Sequence, residues 1–225
     1  MVRDKVSPEL ILWDLDGTLV DSSADLVRAT NEAMRTLGYP DVDQAHFARM
    51  VGNGVRYLVS AALPPESRER EQEKAIEIFM EYYRGHIADK TRYFEGIPDL
   101  LAELPVDHVI VSNKREELCR LLVDKLESGS WFKEIVGGDT FVNRKPHPQP
   151  ILEMVKRFSV DPSRVVMIGD SILDIESGLK AGVQTIGVTW GFGDPLENSE
   201  INPDHVFRNV SGMASFLKQS CLGRV

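Results

Sequence analysis

The chain has 225 residues, of which 42% are hydrophobic and 27% charged, an ordinary balance for a folded globular protein. Its net charge of −9 and pI near 5.1 argue against DNA, RNA or an anionic membrane as the main partner. A small anion stays open, because a local group of lysine and metal can reverse the field at one site.

The length exceeds one average domain and falls short of two large ones, so one domain with a large insertion fits as well as two small ones. Cys119 and Cys221 lie in no CxxC pair and near no histidine cluster, which predicts a reduced compartment with neither zinc site nor disulfide framework. The opening "MVRDKVSPELILWD" has no long apolar core, and no run approaches a membrane span. The expectation is a cytoplasmic protein.

In chain order, the first predicted strand is "LILW", which ends at Asp14. A helix follows over "SADLVRATNEAMRTLG", with Ser22 or Ser23 as its cap and Gly38 as its stop. "GVRYLVSAAL" ends at Pro64 and Pro65, and "SREREQEK" leads into "AIEIFMEYYRGHIAD", where Ala75, Phe79, Tyr82 and His86 share one face. Then come a helix at 98–104, the strand "HVIV" ending at Ser112 and Asn113, and helices at 116–127 and 148–158. The strand "VVMIG" ends at Asp170, a helix spans 172–182, and "TIGV" and "HVF" are the last strands. A polar loop is read at 195–204, and fraying is expected after about residue 219.

Short continuous apolar runs suit strands buried on both faces, as parallel sheets require. Their alternation with helices predicts an α/β doubly wound (Rossmann-like) sheet, whose ligand site lies outside the carboxyl ends of the strands. Asp14, Ser112, Asn113 and Asp170 all fall at that edge. The gap from Asp14 to Ser112 far exceeds the roughly 30 residues of a βαβ unit. The surplus is helical, so residues 20–90 are read as an inserted helical cap, and 1–19 with 91–225 as the core.

Three features fit one reaction. "DLDGT" offers a carboxylate nucleophile, a second carboxylate for proton transfer and a glycine for a sharp turn. "RKPHPQP" supplies Lys145, and "GDSILD" supplies Asp170 and, four residues on, Asp174. Several acids with one lysine suit a divalent metal and a phosphoryl group, and oxygen-only ligands favour Mg²⁺. A carboxylate approaching a phosphate meets repulsion of about 4 kcal/mol per charge pair near a protein surface, roughly three decades in rate. Metal and lysine would cancel it. Asp14 can then attack and form an aspartyl-phosphate, while Asp16 protonates the leaving alkoxide and later deprotonates water.

"DLDGTLVDS", "VSNK", "RKPHPQP" and "VVMIGDSILDIESGLKAGVQTIGVTWGFG" together resemble the four ordered motifs of the haloacid dehalogenase superfamily, within it the phosphoglycolate phosphatase group. The resemblance runs from about Leu10 to Leu217. It implies Asp14 as nucleophile and Mg²⁺ ligand, with Asp16 as acid/base that also binds metal through its backbone carbonyl. Ser112 and Asn113 would hold the phosphoryl oxygens, and Lys145 would orient nucleophile and phosphate. Asp170 would bind Mg²⁺ and Asp174 support the metal shell. Two departures are minor: Ser112 stands where Thr is more usual, and Trp13 where Phe is. The presence of Asp16 favours phosphate hydrolysis over dehalogenation.

The implied activity is phosphomonoester hydrolysis on a small metabolite, with 2-phosphoglycolate the best single substrate. Pyrophosphate, a nucleotide or a sugar phosphate, a phosphoglucomutase-like isomerase and a non-enzymatic phosphate binder stay as alternatives. Blander readings cover other residues. Thr18 sits at the third ligand position of an EF-hand and no helix precedes it, which removes a calcium loop. His147, between two prolines, reads as a turn residue, and Trp131, Phe132 and Trp190 as packing. In "RMVGNGVRYL" (49–58), Asn53 or Arg56 facing a substrate carboxylate competes with a solvated surface position.

Overall fold

Four apolar residues make a strand only if neighbours satisfy both edges, and β1 (Leu10–Trp13) has them. In the computed structural model, which describes residues 7–43, 50, 52–193 and 201–222, β4 (Asp107–Val111) lies on one side of β1 and β6 (Val165–Gly169) on the other, both parallel. With β5 (Glu134–Val136), β7 (Gln184–Val188) and β8 (His205–Phe207) they form one parallel sheet in the order β5-β4-β1-β6-β7-β8. The predicted doubly wound sheet is present. β5 escaped the sequence reading because "EIV" is too short to show a period.

Alternation along β1 sends Ile11 and Trp13 into one apolar layer and Leu10 and Leu12 into the other. Helices α6 (Gln149–Phe158) and α7 (Ile172–Ala181) contribute Ile151, Met154 and Ala181 to the second layer. Helices α4 (Ile97–Glu103), α5 (Glu116–Lys125) and α8 (Val210–Leu222) cover the first with Leu100, Leu122 and Met213. Each fully buried Leu or Ile contributes about 1.5–3 kcal/mol. Helix α8 runs to Leu222, past the expected fraying point, because Met213, Leu217 and Cys221 dock on this layer. Residues 194–200, most of the polar loop, and 223–225 lie outside the described residues.

Between β1 and β4 the chain forms helices α1 (Ser23–Thr36), α2 (Val55–Ala62) and α3 (Arg68–His86), which pack on one another. A two-stranded antiparallel ribbon, β2 (Val20–Asp21) with β3 (Arg92–Tyr93), joins the two ends of this segment. The buried Asp25 pins it further: Oδ2 accepts from the Lys90 N–H, the Thr91 N–H and the Thr91 hydroxyl, each at 2.8 Å. The buried stripe of α3 is Ala75, Phe79 and Tyr83, not Ala75, Phe79 and Tyr82. Tyr82 and His86 instead stack on each other at 4.3 Å at the margin, where Arg28 donates to the Tyr82 hydroxyl. The i, i+4 step from Phe79 decides this in favour of Tyr83. Gly38 stops α1 as expected with φ +82°, but Ser22 at the cap position does not cap. Its hydroxyl is used elsewhere.

One polar pair crosses the core beneath the nucleophile position. Trp13 Nε1 donates to His108 Nδ1 at 3.1 Å, so His108 is held as the neutral tautomer that accepts there. Burial pushes His108 down to about 4 against weaker support from the Leu104 carbonyl and Asp107. In the unfolded chain it titrates near 6.5, so this arrangement stabilises the fold above that pH and loses its contribution as the pH falls from 6.5 towards 4. Relative to His108→Asn, which keeps an acceptor but cannot titrate, the wild type is expected to lose about 2–3 kcal/mol between pH 7.5 and 4.5 in urea unfolding. Parallel curves for the two proteins would contradict this.

Candidate active site

Since Trp13 is in register with Ile110 and Ile168, the chain leaves the sheet at nearly one level on β1, β4 and β6. Asp14, Ser112 and Asp170 therefore converge at the carboxyl edge, and the loop before α6 brings Lys145 among them. The Lys145 ammonium donates to Asp14 Oδ1 at 2.7 Å, to Asp174 Oδ1 at 2.5 Å and to the Val111 carbonyl at 2.6 Å, using all three of its hydrogens. Asp14, Asp170 and Asp174 are all buried, and one carboxylate oxygen from each falls within 4.8 Å of the others.

The acids are set by local structure. Asp174 is the third residue of α7 and forms a capping box with Ser171, whose N–H and hydroxyl both donate to Oδ2. With Lys145 on its other oxygen, Asp174 is fully engaged. Asp170 Oδ2 accepts from the Phe192 and Gly193 N–H groups at 2.7 and 2.9 Å, and Thr18 reaches Oδ1 at 3.3 Å. Gly17 has φ +94°, and a Cβ there would lie 2.3 Å from Asp170 Oδ2, so only glycine fits this turn. Trp190 braces the same turn, donating to the Thr18 carbonyl at 3.2 Å. His147 is the turn residue expected, with Nδ1 accepting from the Gln149 N–H.

Three carboxylates around one lysine leave excess negative charge. Burial raises Asp14 well above the ordinary carboxylate range; Lys145 opposes this, and Asp174 and Asp170 add to it. Asp170 is pushed up to about 6, by burial first and by Asp174 second. Burial works against the Lys145 ammonium, but Asp14 and Asp174 outweigh it and hold the proton on. Asp14 Oδ2 and Asp170 Oδ1 are the oxygens least engaged by protein donors. An all-oxygen, acid-rich set of this kind fits a hard divalent cation.

Asp16 is set apart from this group. Its two oxygens each accept from the Lys114 ammonium at 2.7 Å, and the Ser22 hydroxyl donates to Oδ1 at 2.6 Å. Lys114 is buried, with its ammonium 5.1 Å from the centre of the Tyr83 ring on α3. Lys114 is the last residue of the "VSNK" motif, and the sequence assigns it no role. Its burial beside an acid one motif away was the missing signal. Ser112 Oγ accepts from the Lys114 N–H, which leaves its own hydrogen free to donate. The Asn113 side chain spends Nδ2 on the Gly52 and Lys145 carbonyls, so the amide has no donor left for a phosphoryl oxygen, and Oδ1 is buried without a partner among the described residues.

Above these residues sits a cavity of about 40 Å³, floored by Asp14, Asp16, Ser112, Asn113 and Lys114 and walled by apolar side chains such as Leu58 and Phe79. Gly52, Gly54 and Val55 of the "RMVGNGVRYL" stretch line it, whereas Arg49 and Val51 lie outside the described residues. Arg56 is a surface residue, paired with Glu73 at 2.5 Å with both side chains more than half exposed.

A family model described as "Haloacid dehalogenase-like hydrolase" matches residues 11–188. The chain belongs to this family. It is 34% identical over 211 residues to the phosphoglycolate phosphatase of Aquifex aeolicus, covering 92% of this chain and 96% of that one. It is also 34% identical over 191 residues to the N-acetylmuramic acid 6-phosphate phosphatase of Pseudomonas aeruginosa, covering 84% of each. Among solved structures, a haloacid dehalogenase-like hydrolase from Streptococcus pneumoniae superposes with a TM-score of 0.82 at 26% identity, over 93% of this chain and 99% of that one. The chain is thus an enzyme of the phosphatase type within its family. No helix among the described residues is long and apolar enough to cross a membrane.

Proposed function

We propose that this phosphatase is a cytoplasmic, Mg²⁺-dependent enzyme that hydrolyses the phosphomonoester of a small carboxylic acid, with 2-phosphoglycolate the best single substrate. The observation that carries the chemistry is Lys145 bridging Asp14 and Asp174 inside a buried acidic cluster. For the substrate, both relatives named above act, by their names, on phosphorylated carboxylic acids.

In this reading Asp14 Oδ2, the oxygen not held by Lys145, attacks phosphorus and forms an aspartyl-phosphate as the alkoxide leaves. Asp16 gives the proton to the leaving oxygen and then takes one from the water that cleaves the acyl phosphate. The Ser112 hydroxyl and the Asn113 backbone N–H hold the phosphoryl oxygens. Lys145 fixes the rotamer of Asp14 and offsets its charge. Asp14, Asp170 and the Asp16 carbonyl would hold Mg²⁺, with Asp174 supporting them, and the bound cation would neutralise charge on nucleophile and phosphate. Residues 20–90 act as the cap that keeps water from the cavity, on a core of 1–19 and 91–225.

The test is phosphate release from a panel of phosphomonoesters and pyrophosphate, with and without Mg²⁺, for wild type and Asp14→Asn. Metal-dependent release that falls at least about 1,000-fold in Asp14→Asn is expected. Release from none of them would move the chain to phosphate binding, and dependence on a bisphosphate activator to a mutase.

A further inference from the structure

The cavity holds two features that the hydrolytic chemistry does not use. Lys114 is a buried cation on its floor, and the Tyr83 hydroxyl, also buried, lies beside Lys114 and makes no geometrically formed hydrogen bond among the described residues. Lys145 has all three hydrogens committed among the acids, so it has none to offer the leaving group. Arg115 also lines the cavity, but its side chain is 45% exposed and lies 3.9 Å from Glu117. Lys114 is therefore the one buried cation among the described residues that faces the space where a leaving group must sit.

Two of its hydrogens are on Asp16, at 2.7 Å each, and the Tyr83 ring lies beside the ammonium. A lysine on a flexible four-carbon stem can keep one bond to Asp16 and turn another hydrogen to an incoming anion. The phenol of Tyr83 adds a second donor of the sort a carboxylate accepts. The remaining walls, Leu26, Val55, Leu58, Phe79 and Leu118, offer a ligand no polar side chain.

We propose that Lys114 and the Tyr83 hydroxyl form the specificity site of this phosphatase, reading a carboxylate on the leaving group. The inference rests on the phosphatase reading above and adds the residues that choose among its substrates.

The first experiment needs only wild type and Mg²⁺. Three esters of similar size differ in the charge of the leaving group: 2-phosphoglycolate (anionic), ethyl phosphate (neutral) and phosphoethanolamine (cationic). The expected kcat/KM falls at least about 100-fold from the first to the second, and further to the third. Equal values for the first two would overturn the proposal, whatever the variants do. The second experiment repeats the series with Lys114→Met, Lys114→Arg and Tyr83→Phe. Lys114→Met should shrink the anionic-to-neutral ratio to within about 5-fold, Lys114→Arg should restore part of it, and Tyr83→Phe should lower it about 10-fold, chiefly through KM. A loss shared equally by all three esters would mean a structural role and sink the idea. If wild type released no phosphate from these esters or from p-nitrophenyl phosphate, the functional reading itself would fail, which is a different result.

Discussion

Lys145→Met is expected to lower the stability of the metal-free phosphatase by about 3–5 kcal/mol, the usual cost of removing one partner from a buried ion pair. The reason is local. Asp14 and Asp174 would be left buried without their shared cation, and the Val111 carbonyl would lose its donor. For a chain of this length that corresponds to a fall in melting temperature on the order of 10 °C. Millimolar Mg²⁺ should return part of the loss, because a cation beside Asp14 and Asp170 supplies the missing positive charge. Activity should fall about 1,000-fold or more even when Mg²⁺ saturates, since no other side chain among the described residues bonds to the Asp14 carboxylate. Urea unfolding with and without Mg²⁺, alongside phosphate release, measures both effects. Unchanged stability in the absence of metal would show that Lys145 does not balance the cluster.

Asp170→Asn should have the opposite sign on stability. Asp170 titrates near 6 in the folded protein and near 3.9 in an unfolded chain. The folded state therefore holds this proton more tightly, so stability rises as the pH falls through 6 and levels off near 4. Above pH 6 the ionised group costs about 2–3 kcal/mol. Asparagine removes the charge and keeps an oxygen to accept from the Phe192 and Gly193 N–H groups. At pH 8 without metal the variant is expected to be about 2–3 kcal/mol more stable than wild type, with the gain vanishing near pH 4. It should also lose most of the stabilisation that Mg²⁺ confers, along with activity. A destabilised Asp170→Asn at pH 8 would refute the view that repulsion among the acids dominates the metal-free site.

Asp14, Ser112, Asn113 and Asp170 could be placed from spacing because each ends an apolar run, and such positions must meet at one sheet edge; Lys145 and Asp174 stood out only through the motifs "RKPHPQP" and "GDSILD". Lys114 could not. Its neighbours "VSN" read the same whether the lysine points to solvent or inward, and only the packing of α3 over the strand end, with Tyr83 against the ammonium, buries it. The Asn113 side chain shows the converse. Its place was legible, but its donors went to the Gly52 and Lys145 carbonyls, and those partners lie 61 and 32 residues away in sequence.

Period and punctuation alone determined the alternating strands and helices, the long insertion after β1, and the acids at the carboxyl edge. These follow from local rules: apolar runs seek burial on both faces, and glycine, proline and capping residues mark where they stop. Tertiary structure alone decided which face of α3 is buried, that β5 joins the sheet, that His108 pairs with Trp13, and that Asp16 and Asp14 have separate lysines. Each of these depends on contacts between residues far apart in the chain, where a rotation of one residue or one hydrogen-bond choice changes the partner without changing the pattern. Two aspartates with a single leucine between them thus take separate lysines at the floor of one cavity: Asp14 pairs with Lys145 in the acidic cluster, Asp16 with Lys114.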